Sequence, residues 1–233
     1  MSARLKPMAV VGACLLALSA CDSKQAPVEI VAEKSKPAEQ VTAVVTPQAT
    51  MATENFLLEA AVKENDTLES LRKQYGEANV IKSELPGAEG ETSQGWMLFP
   101  NEPEKKLLIY LDQSNSHPGS IVANELNSKW HLSNSIKMGT DSKALQALNQ
   151  KPFSFFGFYW DYGGVISDWN GGALDKKAAD GSHISIHLCP PENTKLPDNY
   201  LSGDGTFQSD NALAQKFPPL VCELSLSFPQ SEE

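Results

Sequence analysis

The residues that could do chemistry in this chain gather in its second half. His183, His187 and Cys189 lie in one alternating stretch, HISIHLC (183–189), and raise the question of a metal site. In a strand, His183 and His187 share a face but stand about 13 Å apart, too far to ligate one ion. Asp161 and Asp168 flank a hairpin as a glycosidase carboxylate pair would, yet aspartate beside a Gly-rich turn is ordinary turn chemistry. Serine is abundant, but no G-x-S-x-G elbow occurs, and SGDGT (202–206) lacks the ligand spacing of a calcium loop. No catalytic residue, metal or cofactor is assigned, which leans the reading away from an enzyme. The remaining candidates are rings: Phe158, Trp160, Tyr162 and Trp169 crowd around Gly163-Gly164 and Asn170-Gly171-Gly172. Flat rings at turns could stack on sugar, with packing in a strand core as the competing role.

The elements that must position these rings begin with a helix capped by Thr140 or Asp141. It carries Ala144, Leu145 and Leu148 on one face and ends at Asn149. FSFFGFYW (153–160) reads as a strand, with Phe153, Phe155 and Tyr159 on one side and Phe156, Phe158 and Trp160 on the other. A strand apolar on both faces lies centrally in a covered sheet or turns one face to an interface. VISDW (165–169) reads as its partner across the Asp161–Gly164 turn. The same order appears upstream. Asp66 or Asn65 caps a helix with Leu68, Leu71 and Tyr75 that stops at Gly76, and stretches 95–100 and 106–111 read as a hairpin. Residues 113–119 read as loop, 121–129 as strand or helix, 183–189 and 220–228 as strands, and 209–216 as a short helix.

The expected fold is therefore one α+β domain over 53–230, with two tandem helix-plus-antiparallel-hairpin repeats at about 66–111 and 140–169. Helix followed by hairpin resembles the repeat of the small barrel-assembly lipoproteins and the β-lactamase-inhibitor-like domains. The matching pieces are Tyr75-Gly76-Glu77-Ala78 and Leu148-Asn149-Gln150-Lys151-Pro152. The first lacks the family's proline, and the second has Asn149 where glycine is usual. The resemblance implies a fold and no activity.

The N-terminus carries a second, separate pattern. In MSARLKPMAVVGACLLALSAC (1–21), Arg4 and Lys6 precede an apolar run too short to span a bilayer, followed by small residues and a cysteine. Leu18-Ser19-Ala20-Cys21 resembles the lipobox of bacterial lipoproteins. That resemblance implies cleavage before Cys21 and acylation of its thiol and new amine, a membrane anchor well above the two-signal requirement. Asp22 resembles the inner-membrane retention signal of enterobacterial lipoproteins, with the outer membrane left open. Residues 22–52, punctuated by Pro27, Pro37 and Pro47, read as a tether reaching about 100 Å if stretched and nearer 30 Å as a coil. With Cys14 lost in the leader and Cys21 acylated, Cys189 and Cys222 remain. In a disulfide-permissive compartment they form one bridge closing a loop of roughly 30 residues, stabilising by about 3 kcal/mol and tying in the C-terminal strand. That bridge also removes Cys189 as a metal partner for His187.

The formal net charge of −10, without any Lys/Arg run, disfavours nucleic acid and any polybasic contact with anionic lipid. The combined expectation is a membrane-anchored periplasmic lipoprotein acting as a non-enzymatic protein-binding or scaffolding module on an envelope protein. Glycan (peptidoglycan) binding through the rings is the alternative, and a hydrolase with an unrecognised site comes third.

Overall fold

Alternating apolar and polar residues run as strands through most of this chain and pair into two antiparallel sheets. The computed structural model describes residues 55–229, apart from 88–89, 177 and 179. The larger sheet has six strands in the order β1 (Val80–Pro86), β2 (Thr92–Leu98), β3 (Leu107–Leu111), β4 (Pro118–Ala123), β9 (Leu220–Ser227) and β7 (His183–Cys189). The smaller has three, in the order β6 (Ile166–Asp168), β5 (Ser154–Phe156) and β8 (Thr206–Gln208). Three short helices accompany them: α1 (Leu68–Tyr75), α2 (Ser142–Asn149) and α3 (Ala212–Lys216). The α+β class is as expected. The expected signal peptide, lipidated Cys21 and tether lie outside the described residues. Among the described residues, no helix is long and apolar enough to cross a membrane.

Strand register explains where the core sits. Trp96, Ile109, Ile121 and Leu226 are directly opposed across four neighbouring strands, and all are buried. Their side chains share one face and form the spine of the core, onto which Leu58, Leu71, Leu145 and Phe153 also pack. Alternate positions carry Ser120, Ser225, Ser227 and Ser185, the polar side of a sheet that buries one face.

The helices are capped by local chemistry. The α1 cap is Thr67 rather than Asp66 or Asn65. Its hydroxyl accepts the Ser70 N–H at 3.1 Å, while the Ser70 hydroxyl accepts the Thr67 N–H at 2.9 Å. Asp66 instead supports this box from outside, accepting the Lys63 N–H and the Ser70 hydroxyl. Asp141 caps α2 by accepting the Ala144 N–H at 2.8 Å. Gln150 then turns left-handed to end it. Asn149 is fully buried at that end, where its side-chain amide donates to Lys151 O and Trp169 O and accepts the Leu174 N–H.

Three differences from the sequence reading have physical causes. Strand β1 carries no periodic signal, because Lys82 and Glu84 alternate with Ile81 and Ser83 at an exposed sheet edge and leave no clean period. Strand β4 begins at Pro118-Gly119, inside the stretch read as loop. It pairs there across a register shift at Tyr110/Leu111, a bulge that hides the strand start from periodicity. The expected eight-residue strand at 153–160 shortens to β5 for reasons of close packing given below. Helix followed by antiparallel strands does occur at both expected places, but α1 leads into the large sheet and α2 into the small one.

The disulfide joins β7 to β9. Cys189 and Cys222 are bonded, with Cα atoms 5.7 Å apart and a sequence separation of 33. The pairing passes from His187↔Glu223 to Leu188↔Val221, so Cys222 is the extra residue of a bulge. Replacing both cysteines by serine should lower unfolding stability by about 3 kcal/mol, read as a drop in urea midpoint at constant slope. A change under about 1 kcal/mol would show that strand pairing alone holds this junction.

Candidate functional site

The aromatic turn between β5 and β6 is shaped by where the backbone has no room. At Gly157 an added Cβ would lie 2.4 Å from Gly203 O, so the β5 strand cannot continue with a larger residue. The chain instead hands its pairing to the loop after Tyr200. The Gly157 N–H donates to Gly205 O at 2.8 Å, the Phe158 N–H to Leu201 O at 2.7 Å, and the Gly203 N–H to Phe158 O at 3.1 Å. This switch breaks the alternation expected for 153–160. Phe153, Phe155 and Phe158 are all buried, while Tyr159 is thrown out to 73% exposure.

Tyr159 heads a four-residue knuckle, Tyr159–Tyr162, held at several points. The Trp160 indole N–H donates to Gly157 O at 2.8 Å, and the Gly163 N–H to Trp160 O at 2.9 Å. At its C-terminal side, the Gly164 N–H donates to Phe156 O at 2.9 Å and the Leu188 N–H to Gly164 O at 2.9 Å. Gly164 has φ +87°, and a Cβ there would meet Leu188 O at 1.9 Å, so only glycine fits between the two sheets. The His187 ring nitrogen Nε2 also hydrogen-bonds to the Gly163 carbonyl. The knuckle is thus a rigid projection fixed to β5 on one side and β7 on the other.

The sequence-predicted binding residues separate in space. Trp160 and Tyr162 come together, with centroids 5.4 Å apart and planes at 65°. Trp160 is half-buried against Phe156, whereas Tyr162 is 63% exposed. Phe158 is not a surface residue: it is 3% exposed and stacks on Tyr200 at 5.8 Å and 9°, so its expected role in binding is corrected to core packing. Trp169 packs on Phe153 at 5.1 Å, and its carbonyl is held by Asn149 at the opposite end of the hairpin. No coplanar platform of Trp160, Tyr162 and Trp169 exists. The residue that sequence reasoning missed is Tyr159. Its φ of 70° is unusual for a bulky side chain, and the one signal that could have found it is Gly157 in mid-strand.

No family model, curated protein or solved structure matches this chain. The knuckle is therefore read on its chemistry alone.

Other candidate chemistry resolves into structural roles. Asp168 accepts the Asn170 N–H at 2.7 Å, as a turn aspartate does. Among the described residues, no three His, Cys, Asp or Glu side chains converge as a metal site. An open groove of about 410 Å³ beside α2 is lined by Lys143, Gln146, Gln150, Lys151 and Gln215, and a smaller one of about 170 Å³ by Glu59, Glu64 and Asp180 among others. Neither lining includes a histidine or a cysteine.

Behind the knuckle, His187 faces Glu223 across β7 and β9. Burial pushes the Glu223 carboxyl above the usual carboxylate range, and the His187 imidazole pulls weakly the other way. The folded state then holds a proton that the unfolded chain has released, so stability falls as pH rises from the ordinary carboxylate pKa through the raised one. Glu223→Gln should raise the melting temperature at pH 7 and leave it unchanged at pH 3.5, measured by thermal unfolding. An equal shift at both pH values would rule out ionisation as the cause. At Tyr159, substitution by asparagine, which tolerates the left-handed region, should stabilise the fold by roughly 0.5–1 kcal/mol in denaturant titration. A lower midpoint would show that the tyrosine ring contributes packing that outweighs its backbone cost.

Proposed function

We propose that this chain is a lipid-anchored periplasmic lipoprotein whose domain binds another envelope protein, without catalysis, through the Tyr159–Tyr162 knuckle. The observation that carries the reading is Tyr159. A bulky residue sits in the left-handed region at a cost of about 1 kcal/mol, and its ring, touching Phe158 edge-on, is presented mostly to solvent. Strain kept at the surface and over-determined by surrounding hydrogen bonds is the pattern of a preorganised contact. Tyrosine suits such a contact, because it offers a large amphipathic surface with only two side-chain torsions to fix.

The anchor rests on the lipobox-like Leu18–Cys21 stretch, and the 22–52 segment supplies reach. Helix followed by antiparallel strands at both α1 and α2 supports reading the domain as two tandem units of unequal extent. Glycan stacking has less support, because the half-buried Trp160 and exposed Tyr162 are steeply inclined to each other and Trp169 lies elsewhere.

Photocrosslinking in intact cells tests both halves. With a photoreactive residue at Tyr162, irradiation should give a discrete protein adduct in the membrane fraction. Cys21→Ser should move the chain to the soluble fraction. Failure to trap any protein would sink the binding reading, and unchanged fractionation of Cys21→Ser would sink the anchor.

A further inference from the structure

The surroundings of the knuckle are unusual in charge as well as shape. Two segments meet there, 152–175 and 196–215, and neither contains a lysine, arginine or histidine. Of the six aspartates they carry, Asp161 and Asp204 stand at the knuckle, whereas Asp168, Asp175 and Asp210 lie toward the other end of the hairpin, and Lys151, Lys176, Lys195 and Lys216 flank the two segments. Asp161 lies within the knuckle itself, between Trp160 and Tyr162, and is exposed. Asp204 is exposed as well, and its two neighbours are hydrogen-bonded to the knuckle's base: Gly203 to Phe158 and Gly205 to Gly157. No ion pair or hydrogen bond engages either side-chain carboxylate among the described residues, so both are free to meet a ligand. The imidazole nearest the knuckle, His187, is half-buried and committed to the Gly163 carbonyl.

We propose that the partner presents a cationic side chain, arginine above all, that stacks on the exposed tyrosines while Asp161 and Asp204 meet its charge. This rests on the protein-binding reading above and specifies what kind of protein segment is bound. An aromatic face attracts a cation through its quadrupole, and a guanidinium can stack flat on a ring while keeping its edge N–H groups for carboxylates. The arrangement supplies both halves of that recognition: rings held out from the surface, and unpaired carboxylates beside them. It also works against other partners. An acidic segment would meet like charge from Asp161 and Asp204, and a wholly apolar one would leave Asp161 desolvated without a counter-ion. With a chain net charge of −10, a basic partner segment is also drawn in at long range.

The decisive experiment maps where the Tyr162 photocrosslink lands, using the full chain in intact cells and mass spectrometry of the adduct. The contact peptide should contain arginine or lysine. The double variant Asp161→Asn/Asp204→Asn should cut the adduct about tenfold without lowering the melting temperature, and raised salt during crosslinking should have the same effect. A protein adduct whose contact peptide lacks basic residues, or an adduct insensitive to the double variant, overturns this inference and leaves the protein-binding reading intact. No protein adduct at all, or an adduct on glycan, overturns both.

Discussion

One glycine joins the backbones of the two sheets that share this domain's core. Gly164 donates its N–H to Phe156 in the small sheet and accepts the Leu188 N–H from the large one. This double pairing is possible only because no side chain stands between the backbones. Val165 extends the junction by bridging to His187, and Phe156 donates back to Val165. Once those strands are fixed at that distance, the residues between Phe158 and Gly163 must loop out from the sheet to return, with Trp160 folding back onto its base. The exposed rings follow from the junction, and their aromatic character does not by itself put them on the surface.

Much of the architecture was legible in the sequence because it rests on period. HISIHLC and LVCELSLSF alternate, and they form β7 and β9; Leu145 and Leu71 mark the buried faces of α2 and α1. What period could not show was where a strand stops for lack of room. FSFFGFYW alternates well enough to read as eight residues of strand, but Gly203 O lies against Gly157, and the alternation fails from that point on. Phe156 and Trp160 still meet on one side, but Phe158 turns into the core and Tyr159 out of it, so the period does not single out Tyr159. The constraint comes from residues 201–205, some forty-five positions downstream, and no local rule reaches that far. Trp169 was misplaced for a related reason. It is close to Tyr162 in sequence, but an antiparallel hairpin sends it to the other end, where buried Asn149 holds its backbone.

The energetic character of the knuckle differs from that of the core behind it. In the core, Phe153, Phe155, Phe158 and Tyr200 gain from burial and ring contact, and each added neighbour improves the packing. In the knuckle, Tyr159 spends backbone energy and gains little from burial. Such an imbalance is common where natural proteins accept a local cost for a prepared surface. The unpaired Asp161 and Asp204 contribute little to the stability of the folded domain, which is consistent with the binding reading proposed above.

The disulfide reaches further than the two strands it joins. Cys189 directly follows Leu188, whose N–H holds Gly164, and Cys222 directly precedes Glu223, which faces His187. The covalent bond therefore sits one residue away from both supports of the knuckle. In a thiol-reducing environment β7 would keep its strand pairing and the burial of Ile186 and Leu188 but lose its covalent tie, and the aromatic projection would lose part of its footing. On the binding reading proposed above, the bridge is a maturation step: the surface reaches its final stiffness only where cysteines oxidise.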